Sequence, residues 1–307
     1  MFLLYKKLKY KPFPMNCVNQ KTLFRKALHV MGVSDALQLI ATLKGLKPVF
    51  RTFIGEEDSK ELESLCCGAG LDFVYSKFKC LDYPRTQDKS SAYSVRMGKR
   101  VSRKSKKHGR LIIYISKSGD LATEACALEG ACGGETGKHA VQFGRLLGYP
   151  ECCIKFWTKY CHKYNLEPII PSIKSFKSYP FYNNISLKYF DIRLIPHFPC
   201  SGDCSFSATI GKRNLMLLRK LNVRHALRFE KMLKTLVLFT QNNGIFLINK
   251  YKRHKSTFEF KEFLSSSSSS PIEELLSENG QFTVHNERSI EIGGNLLNRD
   301  MVTMIYR

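Results

Sequence analysis

Apolar residues recur at helical spacing through "NQKTLFRKALHVMG" and again through "DALQLIATLKG", with Gly32 at the junction and Gly45 at the end. The spacing predicts two helices, the first stopped by Gly32 and the second opened by Ser34 as its N-cap. The period then changes. "KPVFRTFIG" and "LDFVYSKFKCL" are aromatic and β-branched, and "GRLIIYISK" is a continuous apolar run between polar flanks. These read as strands, the last one buried. Between the first two, "EEDSKELESLCCGAG" opens acidic and closes on glycine, as helices do. Strand, helix, strand at this spacing predicts a small N-terminal α/β unit within residues 1–120.

Helical spacing returns in residues 121–240. "DLATEACALEGA" and "KHAVQFGRLLGY" each predict a helix, and Pro150 suits the first turn of a third, "PECCIKFWTKYCHKY". Residues 166–200 have no period and are rich in proline and aromatics, and a loop this long within a compact domain is usually functional. "SFSATIGKRNLMLLRKLN" and "RHALRFEKMLKTLVLFT" predict two basic amphipathic helices, a helical pattern over 205–239. Strands close the chain in residues 241–307: "GIFLINKYK", "STFEFKEF", "FTVHNERSIEI" and "MVTMIYR". The serine run 265–270 reads as a flexible loop. The expected class is therefore α+β: a small α/β unit, a central helical region rich in cysteine, and C-terminal β strands.

Composition narrows the classes. No stretch reaches the roughly 18 apolar residues of a membrane span. The start, "MFLLYKKLKYKPF", is apolar then basic, the reverse of a secretory signal, so a cytoplasmic protein is expected. The 11 cysteines are odd in number, which argues against a secreted disulfide framework. Cys17, Cys80 and Cys161 read as buried apolar residues, and Cys66-Cys67 as a helix end before Gly68.

The formal charge of +23, from 49 Lys and Arg against 26 Asp and Glu, suggests an anionic partner, RNA or another polyanion. The alternative is a generally lysine-rich proteome. One basic block holds Arg100, Arg103, Lys104, Lys106 and Lys107, placed as a loop or hairpin tip before the "GRLIIYISK" strand. The other runs over 212–234 with eight bases and one acid, and includes Lys212, Arg213, Arg219 and Lys220. Both are candidate phosphate-contacting surfaces. "ETGKH" lacks the Ser or Thr that a phosphate-binding loop places after its lysine.

The strongest chemical signal is in two short segments. "LLGYPECCIKFW" carries Cys152 and Cys153, and "HFPCSGDC" carries His197, Cys200 and Cys204. Thiolates are soft-metal ligands, and their clustering in Gly/Pro turns points to a metal centre. An iron–sulfur cluster would use the four thiols. A zinc ion would use three of them with His197. Adjacent residues on a helix point about 100° apart, so Cys152 and Cys153 are expected to reach two corners of a cluster more readily than one small ion. A redox-cycling disulfide ranks last, because adjacent-cysteine disulfides are strained and no C-x-x-C is present. Unrelated buried cysteines are the remaining alternative.

The Cys-Cys plus Cys-x-x-x-Cys pattern resembles the cluster arrangement of assimilatory adenylylsulfate reductases, with one extra residue in the second pair. "GRLLGYPECCIKFW" and "HFPCSGDCSFSATIG" resemble the two cysteine segments of an uncharacterised archaeal and bacterial family, domain of unknown function 483, over about residues 43–221. That resemblance implies a site of importance and no activity. Two functions follow. One is an iron–sulfur or zinc enzyme, with Tyr149, Glu151, His162, Asp203 and Ser205 as supporting groups. The other is a zinc-stapled RNA-binding module, with Phe176, Tyr179, Phe181 and Tyr182 stacking on bases.

Overall fold

Three β-sheets and the helices between them pack around separate hydrophobic clusters. The structure is a computed structural model and describes residues 19–81, 100–131, 138–160, 168–241, 243–266, 270–298 and 301–307. Helix α1 (Gln20–Leu43) is two helical segments joined at Gly32, where φ is 76° and ψ 177°. Asn19 caps the first segment, its Oδ1 accepting from the Lys21 N–H at 3.0 Å. Ser34 does not cap the second as its sequence position suggested. The Val33 N–H is taken instead by Asp191 Oδ2 at 2.9 Å, while Ser34 Oγ donates to the Asp191 carbonyl.

Strand β1 (Val49–Ile54), helix α2 (Ser59–Gly68), β2 (Asp72–Cys80), β3 (Arg100–Ser102) and β4 (Arg110–Ser116) form the first sheet, in the order β1-β4-β2-β3. Every pairing in it is antiparallel, so β4 lies between β1 and β2, which run the same way. The period of two along β4 divides its side chains between two cores. Leu111, Ile113 and Ile115 face α1 and α2, whereas Ile112 and Tyr114 face Ala122 and Ala125 of α3 (Gly119–Ala131).

Next come α4 (Lys138–Leu146), α5 (Glu151–Tyr160), α6 (Ile169–Ser172) and the short β5 (Ser178–Tyr179). Irregular chain with two 3₁₀ turns, at Phe181–Asn183 and Ser186–Phe190, leads to α7 (Ser205–Leu221) and α8 (Val223–Leu233). The helical pattern read through residue 239 ends at Leu233. Leu236–Thr240 is strand β6, every residue of it buried. A continuous apolar run fits a fully buried strand as well as a helix, and here the sheet wins.

The remaining elements are β7 (Gly244–Ile248), β8 (Tyr251–His254), β9 (Thr257–Phe260), β10 (Leu264–Ser265), α9 (Pro271–Asn279), β11 (Gln281–Asn286), β12 (Ser289–Ile292), β13 (Asn295–Asn298) and β14 (Met301–Tyr306). They build two five-stranded sheets, β10-β7-β6-β14-β5 and β13-β12-β11-β9-β8. The segment read as one strand, "GIFLINKYK", supplies β7 to the first and β8 to the second. Alternation again sorts the residues. Leu236, Leu238, Phe246 and Ile248 pack on Phe258, Phe282 and Ile290 of the outer sheet. Val237, Phe239, Ile245 and Leu247 face the central core with α1, α7 and α8. The serine run ends in structure: Ser270 is buried and caps α9, its Oγ accepting from the Glu273 N–H at 3.1 Å. The class is α+β with C-terminal strands. Among the described residues no helix is long and apolar enough to cross a membrane.

Candidate metal centre

Local sequence sets up both halves of the site. Gly148 adopts φ 72° and turns the chain against Lys47 and Pro48, where an added Cβ would sit 3.3 Å from each side chain. Pro150 then precedes α5, and its carbonyl accepts the N–H groups of Cys153 and Ile154, both at 2.9 Å. Cys152 and Cys153 occupy the first turn of α5. The second half is the 196–204 loop. Gly202 lies so close to Tyr179 that a Cβ would meet its ring at 2.6 Å. Asn183 Nδ2 donates to the carbonyls of Gly202 and Cys204, each at 3.0 Å. Cys204 is the N-cap residue of α7.

These elements bring four thiols together. Sγ–Sγ separations are 3.8 Å for Cys152–Cys153, 3.8 Å for Cys152–Cys204 and 3.7 Å for Cys153–Cys204. With Cys200 included, all four sulfurs lie within 4.8 Å of one another and could hold a metal ion. The expected divergence of Cys152 and Cys153 is not found. Helical side chains lean toward the helix N-terminus, so thiols of a first turn project past the helix start and meet there.

The surroundings favour negative sulfur. The N-termini of α5 and α7 both abut the cluster, with the positive ends of their dipoles. The Cys200 N–H donates to Cys153 Sγ at 3.4 Å. Cys204 is held down to about 4 by hydrogen bonds from the Cys153 thiol and from the hydroxyl and backbone N–H of Ser207. Cys153 is pushed up by that same bond to Cys204 and by burial. Burial and the Cys204 charge push Cys200 up to about 12. One thiolate thus raises the cost of the next, and a divalent cation removes that conflict by letting all ionise together.

His197 is not in the four-thiol group. Its Nε2 lies 2.8 Å from Ser207 Oγ, which lies 3.2 Å from Cys153 Sγ, so it reaches the thiols through one hydroxyl. Burial, and then the charge of Lys47, lower its pKa to about 3, so the imidazole is neutral. The Tyr149 ring lies 5.1 Å from the His197 ring. Phe198 stacks on Trp157 at 5.5 Å, which packs the loop onto α5.

The other residues singled out in the sequence are dispersed. Tyr149 OH donates to the Pro196 carbonyl, and burial pushes its pKa up to about 12. Glu151 pairs with Arg145, and Asp203 with Lys177, at the surface. Ser205 is exposed. Cys17, Cys161, His162 and the glycines of 133–137 lie outside the described residues. Tyr179 and Phe181 are buried and Phe176 packs on Phe258, so these rings are core and do not offer a base-stacking platform.

Of the basic residues, Arg100 lies over the Phe78 ring and Arg103 over Tyr75. Lys104, Lys106 and Lys107 are exposed on the turn into β4. Lys212, Arg219 and Lys220 are exposed on α7, and Arg219 is tied to Glu230 of α8. Arg213 turns inward, and its buried Nε has no partner among the described residues. Sequence reading passed over Ser207 and Asn183. The first is three residues after Cys204, one helical turn on, which is a usable signal; the second reaches the site only through folding. No protein-family model, curated protein or solved structure matches the chain, so the site is read from its own geometry.

Proposed function

We propose that Cys152, Cys153, Cys200 and Cys204 bind one zinc ion as a closed structural site, and that the ion fastens the base of α7 so that its basic face can hold RNA or a similar polyanion. The carrying observation is sulfur spacing. Tetrahedral zinc with Zn–S bonds near 2.3 Å requires sulfurs about 3.8 Å apart. Three of the separations here are 3.7–3.8 Å. In an iron–sulfur cluster, thiolates on different irons stand roughly 6 Å apart, beyond the 4.8 Å that contains all four sulfurs. Four thiolates also leave no position for water or substrate, as a catalytic zinc would need. The likeness of the two cysteine segments to those of domain of unknown function 483 fits the same reading and adds no activity.

Metal analysis of anaerobically purified protein tests this directly. One zinc per chain without acid-labile sulfide is the expected result, and iron with sulfide would overturn it. Cys200→Ser should lower bound metal sharply while the three sheets stay folded. Unchanged metal content in that variant would remove Cys200 as a ligand.

A further inference from the structure

A second polar cluster lies beside the thiols and is built largely of cations. Asp35 and Gln38 stand one turn apart on the same face of α1. Arg193 is ion-paired to Asp35, whose other oxygen accepts from Thr52 Oγ1 at 2.5 Å. Lys47 Nζ donates to Gln38 Oε1 at 3.4 Å. Gln38 is 2% exposed and Lys47 7%. Arg51 grips Glu129 through two bonds of 2.6 and 2.9 Å, with the Tyr114 hydroxyl on the same carboxylate. Arg213 reaches in from α7, and its charge and that of Arg193 both lower the proton affinity of Lys47.

The charges do not cancel. Arg193 is answered by Asp35, with the Asp191 carboxylate also acting on it, and Arg51 by Glu129, so three carboxylates face four basic groups. Among the described residues neither Lys47 nor Arg213 is ion-paired to a carboxylate. Among the described residues Gln38 Nε2, Arg193 Nε and Arg213 Nε are buried donors without an acceptor, with His197 Nδ1 and one acceptor, Asn214 Oδ1, also unpaired nearby. Buried donors left unpaired are costly, and three beside an excess of basic groups ask for an oxygen-rich anion. The Arg193 side chain is about a quarter exposed, at 27%, so the cluster has one edge toward solvent.

We propose that Lys47, Arg213, Arg193 and Gln38 form a binding site for a phosphoryl group, either inorganic phosphate or the phosphate of a mononucleotide. A tetrahedral phosphoryl dianion offers acceptors in several directions, and its charge favours the protonated form of Lys47 beside Arg213. The site uses no thiol and stands independently of the zinc assignment. His197 lies between the two, bonded to Ser207 on the metal side and sensing Lys47 on the other.

Calorimetric titration of the full chain at pH 7 tests this, with inorganic phosphate and adenosine 5′-monophosphate as separate probes at fixed ionic strength. Saturable binding of at least one probe is expected, weakened roughly tenfold or more by Lys47→Met and by Arg213→Gln. Lys252→Gln, an exposed position on β8, should bind as the parent does. Tighter binding of the nucleotide would assign the source to a nucleotide, and equal binding to free phosphate. No saturable binding of either probe, or unchanged binding in Lys47→Met, would overturn the site. Met keeps the unbranched stem of Lys, one atom shorter, and removes a buried amine, so that variant should fold; its metal content, measured on the same sample, should equal the parent's. Joint loss of metal and phosphate would count against a discrete site, whereas a metal-free parent that still binds phosphate would sink only the zinc reading.

Discussion

Asn183 fixes the geometry of the second thiol pair with a single side-chain amide, which makes it a sharp probe of the metal loop. Its two bonds hold the carbonyls of Gly202 and Cys204, and all three groups are buried. Asn183→Ala should destabilise the fold by about 1–3 kcal/mol in a urea titration. Chelator competition should show metal held about 10–100-fold less tightly, as losses of supporting groups typically give. Lys47 makes a prediction in pH. Burial, opposed by Asp35 and reinforced by Arg193 and Arg213, lowers its pKa from 10.5 to about 7, with the neutral His197 also facing it. Between those values the unfolded chain binds the extra proton, so this group's contribution makes stability rise with pH through that window. Below about 7 it is charged in both states and the cost of burying the charge is carried in full. The stability of Lys47→Met relative to the parent should therefore fall by a few kcal/mol between pH 7 and pH 10. A pH-independent difference in paired denaturant titrations would show that Lys47 is charged throughout. The cysteines were legible in the sequence because thiols are chemically loud. Asn183, Ser207 and Lys47 were not, because their roles depend on neighbours brought in by the fold.

At the scale of elements, what could be read from sequence was what depends on local backbone. Gly32 was legible as a break in the first helical run, and the structure gives it a φ of 76°. Its capping partner Asp191 was not, since that contact spans 158 residues. A Cβ on Gly32 would sit 2.2 Å from Asp191 Oδ2. Gly32→Ala should thus cost upwards of about 2 kcal/mol, from backbone strain and the displaced carboxylate. Thermal unfolding would measure it, and a neutral effect would mean that α1 straightens without loss. The β6 segment was read as helix because "TLVLFT" has no period that separates a buried strand from a buried helix. Helix α9 was passed over because the serine run drew attention to composition. Its marks were nonetheless present: Ser270 as cap, Pro271 at the start, acids in the first turn and Gly280 at φ 63° after the end.

For the whole molecule, the thiol cluster stands at the base of α7, the helix that carries Lys212, Arg219 and Lys220 and packs into the central core through Leu215 and Leu218. That core also includes residues of α1, β4, α8, β6 and β14, and the outer sheet buries Phe258, Phe282 and Ile290 in a separate cluster, so the three sheets do not depend on the metal for their burial. Removing the metal should free the 196–204 loop and the first turns of α5 and α7, while β4, β6 and β14 keep their amide protection in hydrogen exchange. If the metal only orders this region, RNA binding should survive in weakened form without it. A mixed tRNA pool is the probe. Binding should be weak and without sequence preference, and should fall steeply with salt, with a log–log slope near −0.7 for each phosphate neutralised on single strands. Replacing the exposed Lys212 and Lys220 together by Gln should make that slope shallower by about one to two phosphates' worth. Cys200→Ser should weaken binding and leave the slope unchanged, because it loosens the helix without removing a phosphate-contacting cation. No binding to tRNA even at low salt would discard the polyanion partner and leave the metal site as a staple for a surface of other use.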